Sequence, residues 1–129
     1  MATDTQDATE AAIVAVCHDY VDGWFDGDAE RMARALHPEL VKRCRGIEGD
    51  DPDALETLTA QDMVDATAAG EGLRYNLAPG PERQVDIQIT FQRGTVAAVN
   101  CICAAYVDLL HLIEMPDGWR IVNAAWIPR

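Results

Sequence analysis

The stretch from Tyr106 to Trp126, YVDLLHLIEMPDGWRIVNAAW, constrains the fold more than any other part of the chain. Two apolar runs flank Pro116-Asp117-Gly118. Proline at the second turn position and glycine at the fourth suit a type I turn with a glycine bulge, so a β-hairpin is expected. Counting outward from that turn places Met115 opposite Trp119, Glu114 opposite Arg120 and Ile113 opposite Ile121. It also places His111 opposite Asn123 and Leu109 opposite Ala125. Glu114 and Arg120 then form an opposite-charge cross-strand pair, which supports the register. One face carries Leu109, His111, Ile113, Trp119, Ile121 and Asn123. The other carries Leu110, Leu112, Val122, Ala124 and Trp126, with Asp108 toward its far end. Both faces are mostly apolar, so both need a cover. A polar pair inside an apolar face points to a pocket, and the His111 face is the one expected to line it. A one-residue slip of register would exchange the two faces.

The rest of the chain supplies the cover. Residues 1–6 are polar and are expected to form a disordered tail, leaving 7–129 as a single domain. Asp7 with Glu10 has capping-box spacing and opens a helix running to about Phe25. Ile13, Cys17, Tyr20 and Trp24 recur on one face, and Val14, Val21 and Phe25 widen the stripe. Gly27 closes this helix and Asp28 caps a short second one, Ala29 to about Leu36. His37-Pro38 stops it, because the residue before a proline avoids the helical region. Leu40 to Ile47 reads as a strand, although its alternation is imperfect, and Ala54 to Leu58 as a short one. Thr59 and Asp62 open a third helix that ends at Gly70. Residues 70–83 form a loop and a candidate lid. Val85 to Phe91 alternates as a strand with one solvated face, and Thr95 to Ala105 reads as a central strand. Helices and antiparallel strands are segregated, so the fold class is α+β.

Composition narrows the function. The chain has 129 residues, enough for one core, and a formal net charge of −12. So acidic a chain is not expected to bind nucleic acid, which is held by neutralising phosphates. No apolar run is long enough for a membrane helix, and the acidic start does not read as a signal peptide. The expected location is cytoplasmic. Lys42 is the only lysine beside nine arginines. Cys17, Cys44, Cys101 and Cys103 show no C-x-x-C spacing, and read as small buried residues rather than a metal site. No metal and no cofactor is expected.

The motif Tyr20-x-x-Gly23-Trp24-x-x-Gly27-Asp28, followed by Met32 and by Leu36-His37-Pro38-x-Leu40-x-Lys42-Arg43, resembles the opening of the putative lumazine-binding family. The close, Tyr106-Val107-Asp108-x-Leu110-His111-Leu112 and Asp117-Gly118-Trp119-Arg120-Ile121-Val122-Asn123 with Trp126, is similar to the same family's end. That family is a branch of the nuclear transport factor 2-like superfamily, which includes ketosteroid isomerase, scytalone dehydratase and SnoaL-like cyclases. The resemblance implies a cone, with a curved antiparallel sheet wrapped around a long N-terminal helix. It also implies a pocket in the cone mouth and dimerisation through the sheet.

Three functions stay open at this point. The first is a small-molecule binding domain for an apolar or carbonyl-containing ligand, its pocket lined by Tyr20, Trp24, His37, His111, Trp119 and Asn123. The second is an enzyme moving protons beside a carbonyl, with His111 as general base and Asn123 orienting its ring. The third is a module whose output is a homodimer through the second apolar sheet face. Each candidate residue also has a structural alternative. His111 and Asn123 suit a satisfied hydrogen bond, His37 a helix C-cap, and Tyr20 and Trp24 plain core. Asp108 is the only acidic residue deep in the hairpin, and the counted register turns it away from the pocket.

Overall fold

A computed structural model describes residues 2–129, with side chains from Thr5 onward. Its elements are α1 (Ala2–Asp26), α2 (Ala29–Ala35), β1 (Leu36–Arg45), β2 (Leu55–Thr59), α3 (Ala60–Ala68), β3 (Asp86–Arg93), β4 (Val96–Ile102), β5 (Tyr106–Met115) and β6 (Gly118–Pro128). The six strands form one curved sheet in the order β2-β1-β6-β5-β4-β3. Every neighbouring pair is antiparallel except β1 with β6, which run parallel. The long helix α1 lies inside the curve. Ile13, Cys17, Tyr20, Val21 and Phe25 form its buried stripe, packed into the same core as Val99, Leu110, Leu112 and Ile121 of the sheet.

The caps follow the sequence in two helices. Asp28 accepts from the Arg31 N–H at the start of α2. In α3 the Thr59 hydroxyl accepts from the Asp62 N–H, and the Asp62 carboxylate accepts from the Thr59 N–H. At α1 the expectation fails. The helix starts at Ala2, so Asp7 lies inside it and the expected tail, as far as it is described, is helix. No glycine or proline interrupts residues 2–6, and acidic residues favour a helix N-terminus. Helix α2 stops one residue early, because β1 already begins at Leu36.

The hairpin register is correct over half its length. His111 faces Asn123 and Leu109 faces Ala125, as counted. Near the turn the pairs shift by one: Met115 faces Gly118, Glu114 faces Trp119 and Leu112 faces Ile121. The loop is therefore two residues, Pro116 and Asp117. Val122 is the extra residue of a bulge that restores the outer register. The bulge has a decisive consequence for the faces. Trp119 and Ile121 point inward before it, and Ala124 and Trp126 after it, whereas Asn123 and Ala125 point outward. On β5 the buried residues are Asp108, Leu110 and Leu112, while Leu109 and His111 are exposed. The face against α1 is thus the one opposite His111.

Ion pairs tie the helices together. Asp19 of α1 accepts from Arg31 Nε at 3.0 Å and from Arg34 Nη2 at 3.1 Å on α2. Burial acts to raise the Asp19 pKa, but the hydrogen bonds from Arg34 and Arg31 outweigh it and leave the pKa lowered. Asp22 behaves alike: burial opposes its ionisation, and Arg83 with His18 more than compensates. A carboxyl depressed in the folded state adds stability above its unfolded pKa, and loses it as pH falls through the folded value. The thermal midpoint is expected to hold from about pH 7 to about pH 5 and to decline below about pH 4. A midpoint that rises on acidification below that point would contradict these assignments.

Candidate functional site

Between α1, α3 and the inner face of β1, β5 and β6 lies a cavity of about 90 Å³. Its walls are largely apolar, including Val21, Met32, Met63 and Ala66. Three polar side chains from three different elements meet in it. Tyr20 comes from the buried stripe of α1, Lys42 from β1 and Asp108 from β5. The Tyr20 hydroxyl donates to Asp108 Oδ1 at 2.9 Å and accepts from Lys42 Nζ at 2.5 Å. Lys42 Nζ also lies 3.4 Å from Asp108 Oδ1. Lys42 is 7% exposed and Asp108 4%, so this is a buried ion pair bridged by a phenol. Nζ sits 5.1 Å from the centroid of the Tyr20 ring and 5.0 Å from that of Trp126, within cation–π range of both. Burial, then the Asp108 charge and hydrogen bond, push the Tyr20 hydroxyl far above its ordinary pKa. It stays a neutral donor at any physiological pH.

Aromatic rings close one end of the cavity. Tyr106 packs edge-on to Trp126 at 5.4 Å and to Trp24 at 6.5 Å, and its hydroxyl donates to that of Tyr75. The indole nitrogens of Trp24 and Trp126 are buried and make no hydrogen bond, although the Trp24 N–H acts on the nearby Tyr106 hydroxyl. Both rings line the cavity. A buried donor without an acceptor costs free energy, and the Trp126 N–H beside the cavity calls for an explanation. The thiols near the site are inert. Burial, then the Asp108 charge, raises the Cys17 pKa to about 12, and Cys103, which lines the cavity, is also raised, chiefly by burial.

The segment 70–83, expected as a lid, is pinned at both ends to α1. The Cβ of any residue larger than glycine at position 72 would lie 2.0 Å from the Trp24 carbonyl oxygen, so the chain can approach α1 there only as glycine. Arg83 is 1% exposed. Its guanidinium donates to Asp22 Oδ1 at 2.8 Å, Asp26 Oδ1 at 2.6 Å and the Leu77 carbonyl. Its Cζ lies 5.5 Å from the centroid of the Phe25 ring. The clamp holds Tyr75 against Phe25 and Tyr106.

Of the residues expected in the pocket, the structure brings Tyr20 and Trp24 to the cavity. It does not bring the others. His111 and Asn123 face each other on the outer side of the sheet, their side chains 3.5 Å apart and exposed. Trp119 is buried on the inner face but lines a separate groove, with Ala12 and Val16 of α1 and Arg120 of β6. His37 does not cap α2. It lies in β1, and its Nδ1 accepts from the Glu39 N–H at 3.0 Å. The bulge at Val122 explains Trp119 and Asn123, and the choice of face explains His111. Lys42 was missed because the strand alternates poorly at Val41. Yet Leu40, Lys42 and Cys44 all fall on the buried face at a spacing of two, a signal present in the sequence.

This architecture, a curved sheet closed over one long helix with a polar cluster inside, defines a nuclear transport factor 2-like α+β cone. Solved structures agree. The chain is similar to an NTF-2 like protein of unknown function from Silicibacter pomeroyi, 18% identical, covering 100% of both chains at a TM-score of 0.72. An NTF2-like protein with a cystatin-like fold from Novosphingobium aromaticivorans is 14% identical, with 97% of this chain and 84% of that one covered at 0.67. A ketosteroid isomerase-like protein from Erwinia carotovora atroseptica is 13% identical, with 92% and 94% covered at 0.62. At these identities the likeness is one of fold. The putative lumazine-binding family model matches residues 8–127, and the chain belongs to that family. No curated protein matches it.

Proposed function

We propose that the protein binds a small apolar or carbonyl-containing molecule in the cone cavity, without a cofactor. The observation that carries this reading is the buried Tyr20–Lys42–Asp108 cluster beside the buried Trp126 indole N–H, which finds no acceptor. Apolar walls with a few convergent polar groups are the usual make-up of a ligand site. The family's description as lumazine-binding supports a planar ligand with acceptor atoms. Acetophenone is a suitable probe. It is expected to quench tryptophan fluorescence saturably, and Ala66→Trp, which fills the cavity from α3, is expected to abolish that. Linear, unsaturable quenching that is the same in both proteins would overturn the reading.

The enzymatic alternative keeps the same cavity. The role of general base beside a carbonyl would fall to Asp108 rather than to His111, which is outside, with Tyr20 as the donor. The ketosteroid isomerase-like relative supports this at the level of fold. A cytoplasmic setting accords with four free, buried thiols.

The homodimer cannot use the face expected for it, because Leu110, Leu112 and Ala124 are buried against the core, so the outer sheet face is the one we propose for it. Leu109 is 53% exposed and Val96 47%, on adjacent strands, and the exposed His111 lies between them. Light scattering at about micromolar concentration is expected to give a dimer, and Leu109→Glu a monomer. A wild-type monomer would contradict this part.

A further inference from the structure

Among ten basic side chains in this protein, nine are guanidinium groups and one is an amine, and the amine is the one inside the cavity. Arginine serves everywhere else, including where the buried Arg83 meets Asp22 and Asp26. For holding a carboxylate in a dry site arginine is the better residue, since its planar fork makes two parallel hydrogen bonds. Lysine offers something a guanidinium does not, a primary amine that can lose its proton and attack carbon. The neighbours of Lys42 suit that use. A carboxylate lies 3.4 Å from Nζ and a phenol 2.5 Å away, the phenol joined to the same carboxylate. Two aromatic rings wall the nitrogen and limit bulk water around it.

We infer that Lys42 condenses with the carbonyl group of an aldehyde or ketone ligand to form an imine in the cavity. This rests on the binding reading above and adds a covalent step to it. Asp108 takes one proton from the Lys42 ammonium and frees the nitrogen lone pair. Nζ bonds to the carbonyl carbon as the C=O π pair moves to oxygen. That oxygen is protonated through Tyr20, which is replenished by Asp108. A second proton passes from nitrogen to the same oxygen, which leaves as water while the nitrogen lone pair forms the C=N bond. Two of the three ammonium protons thus depart on water, and the iminium cation keeps the charge opposite Asp108. No oxidant or reductant is consumed.

The single lysine makes the test local. The native protein is treated with benzaldehyde and sodium cyanoborohydride at neutral pH, digested and mapped by mass spectrometry, with tryptophan fluorescence followed in parallel. The only other amine is the α-amino group of the chain, which serves as an internal reference. The expected result is a mass gain equal to benzaldehyde less one oxygen on the Lys42 peptide. It should form at least about tenfold faster than on the α-amine, and faster than on Lys42 of the urea-unfolded chain. Tyr20→Phe is expected to slow it, because the carbonyl oxygen loses its proton donor. Label confined to the α-amine, or no faster on native than on unfolded Lys42, would overturn the covalent step. If fluorescence still reports saturable benzaldehyde binding, the binding reading survives that failure. Neither label nor binding would overturn both.

Discussion

Arg83→Met is expected to lower the free energy of unfolding by about 3 kcal/mol or more, the cost of removing one partner from a buried ion-pair cluster. The guanidinium is nearly inaccessible and serves four interactions at once: two carboxylates on α1, the Leu77 carbonyl and the face of Phe25. Methionine fills much of the volume but satisfies none of the acceptors. Asp22 would keep only His18 at 3.0 Å, and Asp26 only Arg31 at 3.7 Å. Both carboxylates are partly exposed and can recover water, which keeps the loss from the top of the range of about 3–5 kcal/mol. A urea titration gives the loss directly. Hydrogen exchange should show its location, with the backbone of 70–83 losing protection before the sheet does. A loss below about 1 kcal/mol would place this clamp among surface ion pairs.

The second large effect is expected from the cavity cluster, read as a double-mutant cycle. Asp108→Leu removes the carboxylate and leaves the Lys42 ammonium with the Tyr20 hydroxyl and two aromatic rings but no counter-charge, at a cost of about 3–5 kcal/mol. Lys42→Met likewise leaves Asp108 with the Tyr20 hydroxyl alone as a side-chain donor, at a similar cost. The double variant replaces the ion pair by apolar side chains in an apolar cavity. Its loss is expected to fall short of the sum of the two single losses by about 2 kcal/mol or more. Additive losses would mean that the two charges do not feel each other, contrary to their 3.4 Å separation.

The hairpin shows how far the sequence reaches. Alternation and the Pro116-Asp117-Gly118 turn gave the strands, and His111 opposite Asn123 was counted correctly. A bulge leaves no mark in an apolar run, because Ile121, Val122 and Asn123 alternate equally well with or without it. One extra residue was enough to put Trp119 and Asn123 on different faces. The choice of inner face was a second, separate problem. Both faces are apolar, so hydrophobicity could not decide, and His111 looked the more chemical residue. What decides is the long-range pairing of Asp108 with Tyr20, 88 residues apart, and with Lys42. Tyr20 and Trp24 were legible because helical spacing is regular along α1. Lys42 was legible only in hindsight of period two, since a charged residue between Val41 and Arg43 reads as solvated. Arg83 gave no signal, for its partners lie on another element and its loop has no periodicity.

The proposed ligand is expected to enter the cone between Trp24 and Trp126, not the groove beside Trp119 or the outer face around His111. The three tryptophans of the chain test this directly, since each indole N–H gives its own resonance. Acetophenone is titrated into the ¹⁵N-labelled protein. The Trp24 and Trp126 indole signals are expected to shift together and saturate, that of Trp126 moving toward a hydrogen-bonded position, while Trp119 stays still. A saturable shift of Trp119 alone, or of the His111 backbone with both cavity indoles unmoved, would contradict it.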